Sequence, residues 1–271
     1  MPNALYPPLK PRSFGELLDA VLQIFRLSLL KCMPYATLAI IAEQLSTFYY
    51  LSRGRLPTLD GPVLDANDPV GITLYGVGTL VFVMLSVTIL LRQSTIAAGR
   101  PVKGSADLLD TLKRAPAIAA IALLGGAAAA VCMLPALALA PQYRTAGIAV
   151  MLAPTIYVYI TLSFSLPALV LARKGVLASL AYSFRLVRGN WWRVAGSYAV
   201  GLMVILTLST LVATIAAMAF TDTGADDMAI ARAITFAAIL AVLAVGLTFF
   251  SALTLALFGD LQVRRMTSRA E

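Results

Sequence analysis

Gly175–Arg193 reads GVLASLAYSFRLVRGNWWR, and its reading decides the fold. It lies between two long apolar segments and holds Arg185, Arg188 and Arg193, no acidic residue, and the adjacent Trp191 and Trp192. Leu177, Leu180, Ala181, Phe184 and Val187 recur at helical spacing, which predicts a short amphipathic helix. Gly189-Asn190 ends it, because glycine accepts the left-handed backbone of a helix C-terminus. Tryptophan favours the headgroup level of a bilayer, and arginine reaches out from there to phosphate. Arg185, Arg188, Trp191, Trp192 and Arg193 are therefore candidate lipid-headgroup residues, with topology anchoring as the plainer role for the same side chains.

Composition extends this reading to the whole chain. Hydrophobic residues make up 60% and charged residues 13% of the 271 residues, and the mean hydropathy is +0.86. The charged share is about half that of a soluble domain. The length accommodates six spans of about 20–25 residues with short loops and leaves no stretch for a soluble domain. The chain thus reads as one integral membrane domain, residues 1–271, an all-α polytopic bundle of six transmembrane helices with three amphipathic surface helices.

The order along the chain is regular. Residues 1–30 comprise a proline-rich segment, with Pro2, Pro7, Pro8 and Pro11 opposing helix, and a first surface helix opened by a Ser13/Glu16 capping box. The N-terminal stretch lacks the apolar core of a cleavable signal peptide, so the first span is expected to direct insertion. A first hairpin occupies 31–96, with spans 31–51 and 70–91 and an intervening loop carrying Asp60, Asp65 and Asp68. A second surface helix and hairpin occupy 104–172, with Ser105 as expected cap, spans 115–140 and 146–172, and a turn at Pro141–Arg144. A third unit occupies 175–260, with spans 194–220 and 228–258 joined by a loop bearing Asp222, Asp226 and Asp227. A basic tail, 261–271, follows. The three units share a layout more than residues, and a true repeat implies pseudo-threefold packing of the hairpins.

Orientation follows from Lys and Arg. The side of the termini holds 17 of them; the opposite side holds Arg53, Arg55, Arg144 and Arg232. The positive-inside rule then puts both termini of a multi-pass protein in the cytoplasm. The net charge of +8 is spread over loops on that side rather than gathered in a basic domain, so nucleic acid is not an expected partner. Cys32 and Cys132 are expected to be free, buried thiols.

Glu43 is the one acidic residue well inside a predicted span. It shares a polar face with Ser46 and Thr47, and a charge at mid-bilayer costs about 2.5–3.5 kcal/mol, so it needs a partner or a proton. It serves either as a hydrogen-bonded lock between helices or as a proton or cation site. Spans four and five carry many hydroxyls, among them Thr155, Thr161, Ser163, Ser165, Thr207, Thr210 and Thr214, for which bonding within the bundle is the expected role. Gly125-Gly126 predicts a close helix approach. No H-E-x-x-H, G-x-S-x-G or Cys/His spacing occurs, and the chain holds no histidine, so no enzyme, cofactor or metal is implied.

PRSFGELLDAVLQIFR at 11–26 together with LAYSFRLVRGNWWRV at 180–194 resembles the membrane domain fused to bacterial glycerophosphodiester phosphodiesterases, with its stand-alone YciC-like relatives. The resemblance implies membrane association. In those fusions the catalytic domain is a separate soluble barrel using histidine and metal-binding carboxylates, so the activity does not carry over. The expected function is a non-enzymatic inner-membrane organiser, lipid sensor or scaffold. Its expected partners are anionic membrane lipids and a membrane or cytoplasmic protein, and it is compatible with an oligomer. The alternative is a small transporter or channel subunit using Glu43.

Overall fold

The computed structural model describes residues 5–8, 10–54, 67–102, 104–139, 141–219 and 225–270. Pro2, Arg55, Asp60, Asp65, Lys103 and Asp222 lie outside these residues, as do the ends of predicted spans three and five at Ala140 and Phe220. The described residues form ten helical segments and no strand. They are α1 (Phe14–Glu43), α2 (Leu45–Ser52), α3 (Pro69–Ala97), α4 (Ala106–Lys113), α5 (Ala115–Leu137), α6 (Pro141–Leu162), α7 (Ser165–Val170), α8 (Val176–Val187), α9 (Trp191–Ala219) and α10 (Ala225–Ala270). Six stretches are long and apolar enough to cross a membrane: Phe14–Glu43, Pro69–Ala97, Ala115–Ala136, Gln142–Val170, Trp191–Ala216 and Ile234–Thr267. The protein is an all-α, multi-pass membrane bundle.

Several boundaries differ from those the sequence predicts. The first surface helix is not a separate element, because α1 runs unbroken from the Ser13/Glu16 capping box to Glu43. Nothing between Leu27 and Lys31 breaks a helix, and Pro34 is accommodated within it. Span one is instead interrupted at Gln44, beyond which α2 continues. Pro141–Arg144 is the first turn of α6 rather than a loop, with proline in the one place a helix tolerates it well. Span four breaks after Leu162, where Pro167 has no N–H to offer the preceding turn. Ser105 stands at the start of α4 but makes no side-chain cap.

The core joins α1, α3 and α10, so the first hairpin packs with the last helix rather than the three hairpins packing alike. Leu17, Val21, Ile24, Val87, Leu90, Leu253 and Leu257 fill it. At its centre the buried Gln93 amide donates to Ser28 Oγ at 3.2 Å and to the Thr248 carbonyl at 2.9 Å, tying the three helices together. Gly78 makes the α1–α3 contact close, since a methyl there would collide with the Ala42 carbonyl. Gly125 and Gly126, by contrast, have no described neighbour within 4 Å of a built Cβ, so the close approach they allow is not made there by any described residue. The hydroxyls of Thr155, Thr161, Ser163, Ser165, Thr207, Thr210 and Thr214 each donate to a carbonyl three or four residues back in their own chain. These bonds are local to each helix. Cys32 and Cys132 are free.

Candidate functional site

The end of the bundle that holds the N-terminal segment carries two neighbouring polar constructions. The first is a buried ion-pair network around Asp260, whose side chain is 0% exposed. Asp260 Oδ2 lies 2.9 Å from Arg264 Nε and 3.2 Å from Arg193 Nη2, and Oδ1 accepts the Arg12 amide at 2.7 Å. The Arg12 carbonyl in turn accepts from Arg193 at 2.8 Å and from Arg264 at 2.6 Å. The network fastens the segment before α1 across the starts and ends of α9 and α10. Leu5 and Tyr6 amides add bonds to the Ala97 carbonyl at the end of α3, at 2.9 and 3.3 Å. Tyr6 and Pro8 lie against Gly259, where a built Cβ would stand 2.7 Å from Pro8 Cδ and 3.0 Å from the Tyr6 ring. Burial pushes the Tyr6 phenol up to about 12.

Beside it lies a cavity of about 250 Å³ lined by Lys174, Tyr182, Arg185, Gln262, Arg265 and Met266. Tyr182 is its centre. Lys174 Nζ stands 4.6 Å and Arg265 Cζ 5.7 Å from the Tyr182 ring centroid, within range of a cation–π contact. Gln262 Nε2 donates to the Tyr182 hydroxyl at 3.3 Å. Among the described residues, three cations and no carboxylate line this space. Local structure explains the arrangement. Arg173, with φ of 50°, sits in the left-handed region between α7 and α8, and the Lys174 amide closes that turn onto the Ala168 carbonyl at 3.3 Å. α8 then places Tyr182 and Arg185 three residues apart, near one another on its surface.

α8 is fixed from beneath. Buried Ser183 accepts the Phe164 amide at 3.2 Å and donates to the Thr161 carbonyl at 2.6 Å, satisfying the backbone at the α6–α7 break. Ser179, Leu186 and Val187 are also turned inward, while Leu177, Ala181 and Phe184 form an exposed apolar stripe, Leu177 at 74%. The predicted helix is present as α8, with its apolar residues divided between bundle and exterior.

The five residues that the sequence groups as headgroup ligands separate into three roles. Arg185 lines the cavity; Arg188 is exposed beside it in sequence; Trp192 is exposed at 82%. Trp191 instead stacks on Tyr157 of α6, ring centroids 5.7 Å apart. Arg193 is paired with Asp260 and with the Arg12 carbonyl. The sequence reading missed Lys174, Tyr182, Gln262 and Arg265 as one set, because α10 is far from α8 in the chain. It also missed Asp260, although Asp260 and Arg264 stand at the four-residue spacing of a helical ion pair. Glu43, at the far end of α1, and Thr47 of α2 are half-buried and Ser46 of α2 is buried, all far from this cavity in the fold. Comparisons with family models, with curated proteins and with solved structures give no match for this chain.

Proposed function

We propose that this membrane protein binds the phosphate of anionic lipid headgroups in the cavity between α8 and α10. It thereby acts as a non-enzymatic organiser, sensor or scaffold at the bacterial inner membrane. The observation that carries the proposal is the cationic lining around Tyr182, formed by Lys174, Arg185 and Arg265 with the Gln262 amide. Lys174 and Arg185 offer charge to a phosphate, and Arg185 offers a planar pair of donors as well. The exposed stripe of Leu177, Ala181 and Phe184, with Trp192 and Arg188 beyond it, gives acyl chains an apolar surface next to the charge. The Lys and Arg imbalance of the sequence sets this end toward the cytoplasm, where anionic lipid concentrates. The resemblance of 11–26 and 180–194 to membrane domains of lipid-related phosphodiesterases agrees with this reading.

The test is native mass spectrometry of the protein taken from vesicles of mixed phosphatidylglycerol and phosphatidylcholine. Retention of phosphatidylglycerol is expected, and each of Lys174→Gln and Arg185→Gln should lower it about fivefold, from roughly 1 kcal/mol per basic residue. Equal retention in the double variant would overturn the reading. A transporter or channel subunit is the second reading, and the state of Glu43 bears on it.

A further inference from the structure

Glu43 ends α1 at the point where the helix is interrupted, and it does so against the tightest part of the α1–α3 contact. A Cβ built on Gly78 would collide with the Ala42 carbonyl and lie 3.7 Å from Glu43 Cα. Thr79 is the next residue of α3 after Gly78 at this contact. Glu43 Oε2 and Thr79 Oγ1 are both buried, and neither meets hydrogen-bond geometry with any described residue. The depth is set independently by α3. Thr79 is ten residues into α3, or about 15 Å from its start, which is near the middle of a hydrocarbon layer about 30 Å thick. The remaining length of α2 reaches the start of α3, where Tyr50 lies against Gly71 and Tyr49 donates to Asp68 at 3.3 Å.

No counter-charge meets Glu43 there among the described side chains. α3 offers Tyr75, and α2 offers Tyr49 and Tyr50 nearer the membrane edge, where Asp68 and Arg53 also stand. α10 reaches this region with Phe236, whose ring meets Phe48 at 5.8 Å, and has no ionisable side chain between Ile234 and Gly259. Arg92, the cation of α3, is over the Tyr35 ring two turns earlier on α1. A metal cation would need more oxygen ligands than one carboxyl and one hydroxyl. A proton needs only one, and a carboxylic acid with a hydroxyl partner is complete once it is bound.

We infer that Glu43 is a proton-binding carboxyl inside the membrane, its O–H given to Thr79 Oγ1 across the α1–α3 contact. This is independent of the lipid cavity, which lies at the other end of the bundle. A protonated carboxyl in an apolar site adds to dicyclohexylcarbodiimide. Its proton passes to one nitrogen, its oxygen bonds to the central carbon, and rearrangement leaves a stable N-acylurea. The experiment treats the unaltered protein in liposomes at about pH 7, well above the usual Glu value near 4.3, and maps the adduct by peptide mass spectrometry. The expected result is one adduct on Glu43, unchanged by sodium or potassium chloride and lost in Glu43→Gln. No adduct on Glu43 in the intact wild-type protein would overturn the inference. Suppression by sodium would also overturn it, and would make Glu43 a cation ligand instead.

Discussion

Asp260 and Arg193, 67 positions apart in the chain, meet at 3.2 Å with the Asp260 carboxylate completely buried. An ion pair out of water holds only when its remaining hydrogen-bonding capacity is filled. Here the Arg12 amide and Arg264 fill that of the carboxylate and the Arg12 carbonyl accepts from both guanidinium groups, while Arg193 Nε is buried without a hydrogen-bond partner among the described residues. Asp260→Asn leaves two guanidinium groups facing a neutral amide and should cost about 3–5 kcal/mol. Thermal unfolding in detergent measures it. Arg193→Gln alone should also destabilise, and the double variant should lose less than the two single losses together, since each removes the other's partner.

Arg188 and Arg193 provide the matching contrast. The sequence assigns them one role, but Arg188 is exposed and Arg193 is in the network. Arg188→Gln should leave the unfolding temperature within the scatter of a surface change, about 0.5 kcal/mol, while Arg193→Gln lowers it clearly. Equal effects would place both in one role.

Ser183 is a small residue with two long-range duties. Ser183→Ala leaves the Phe164 amide and the Thr161 carbonyl unpaired at a helix break and should cost about 1–3 kcal/mol. Thr207→Ala removes only an exposed bond to its own helix and should be nearly silent. Chemical denaturation of both variants in one detergent compares them directly.

Gly78→Ala should be strongly destabilising, because the obstacle is the Ala42 backbone, which cannot rotate aside. Gly125→Ala and Gly126→Ala meet nothing within 4 Å and should be neutral or favourable by up to about 1 kcal/mol through helix propensity. Loss of stability at Gly125 comparable to that at Gly78 would show a helix contact at that site.

Tyr6 makes stability depend on alkaline pH. Its phenol is pushed up from 10.0 to about 12 by burial, so the folded protein holds the proton where the unfolded chain releases it. This contribution is fully present below about pH 10 and is lost as pH rises toward 12. At about 1.36 kcal/mol per unit it is worth roughly 2–3 kcal/mol. Tyr6→Phe should flatten the fall in unfolding temperature over that window. An unchanged slope would mean that other groups carry the alkaline loss.

What was legible in the sequence is what depends on local composition. Six apolar stretches, the capping box at Ser13 and Glu16, the amphipathic α8 and the stop at Gly189 all follow from neighbours within one or two turns. Glu43 was legible for the same reason, since it stands out as the one acid well inside a span predicted from sequence. Helix ends were less so. Whether α1 stops before the membrane or runs into it is decided by what packs on it, and the stretch through Leu27–Lys31 favours helix in either case.

By itself, the sequence determined an all-α membrane bundle, because burial in hydrocarbon forces each apolar stretch to satisfy its backbone internally as a helix. The tertiary structure alone decided which charges are occupied and which line a cavity. Arg114, Arg193 and Arg264 look like further members of a basic series, yet Arg114 holds the carbonyls of Leu169 and Val170, and the other two hold Asp260. Lys174, Arg185 and Arg265 are drawn together around Tyr182 from a turn and two helices. Charge count and spacing are local properties; pairing and convergence belong to the packing of α8, α9 and α10.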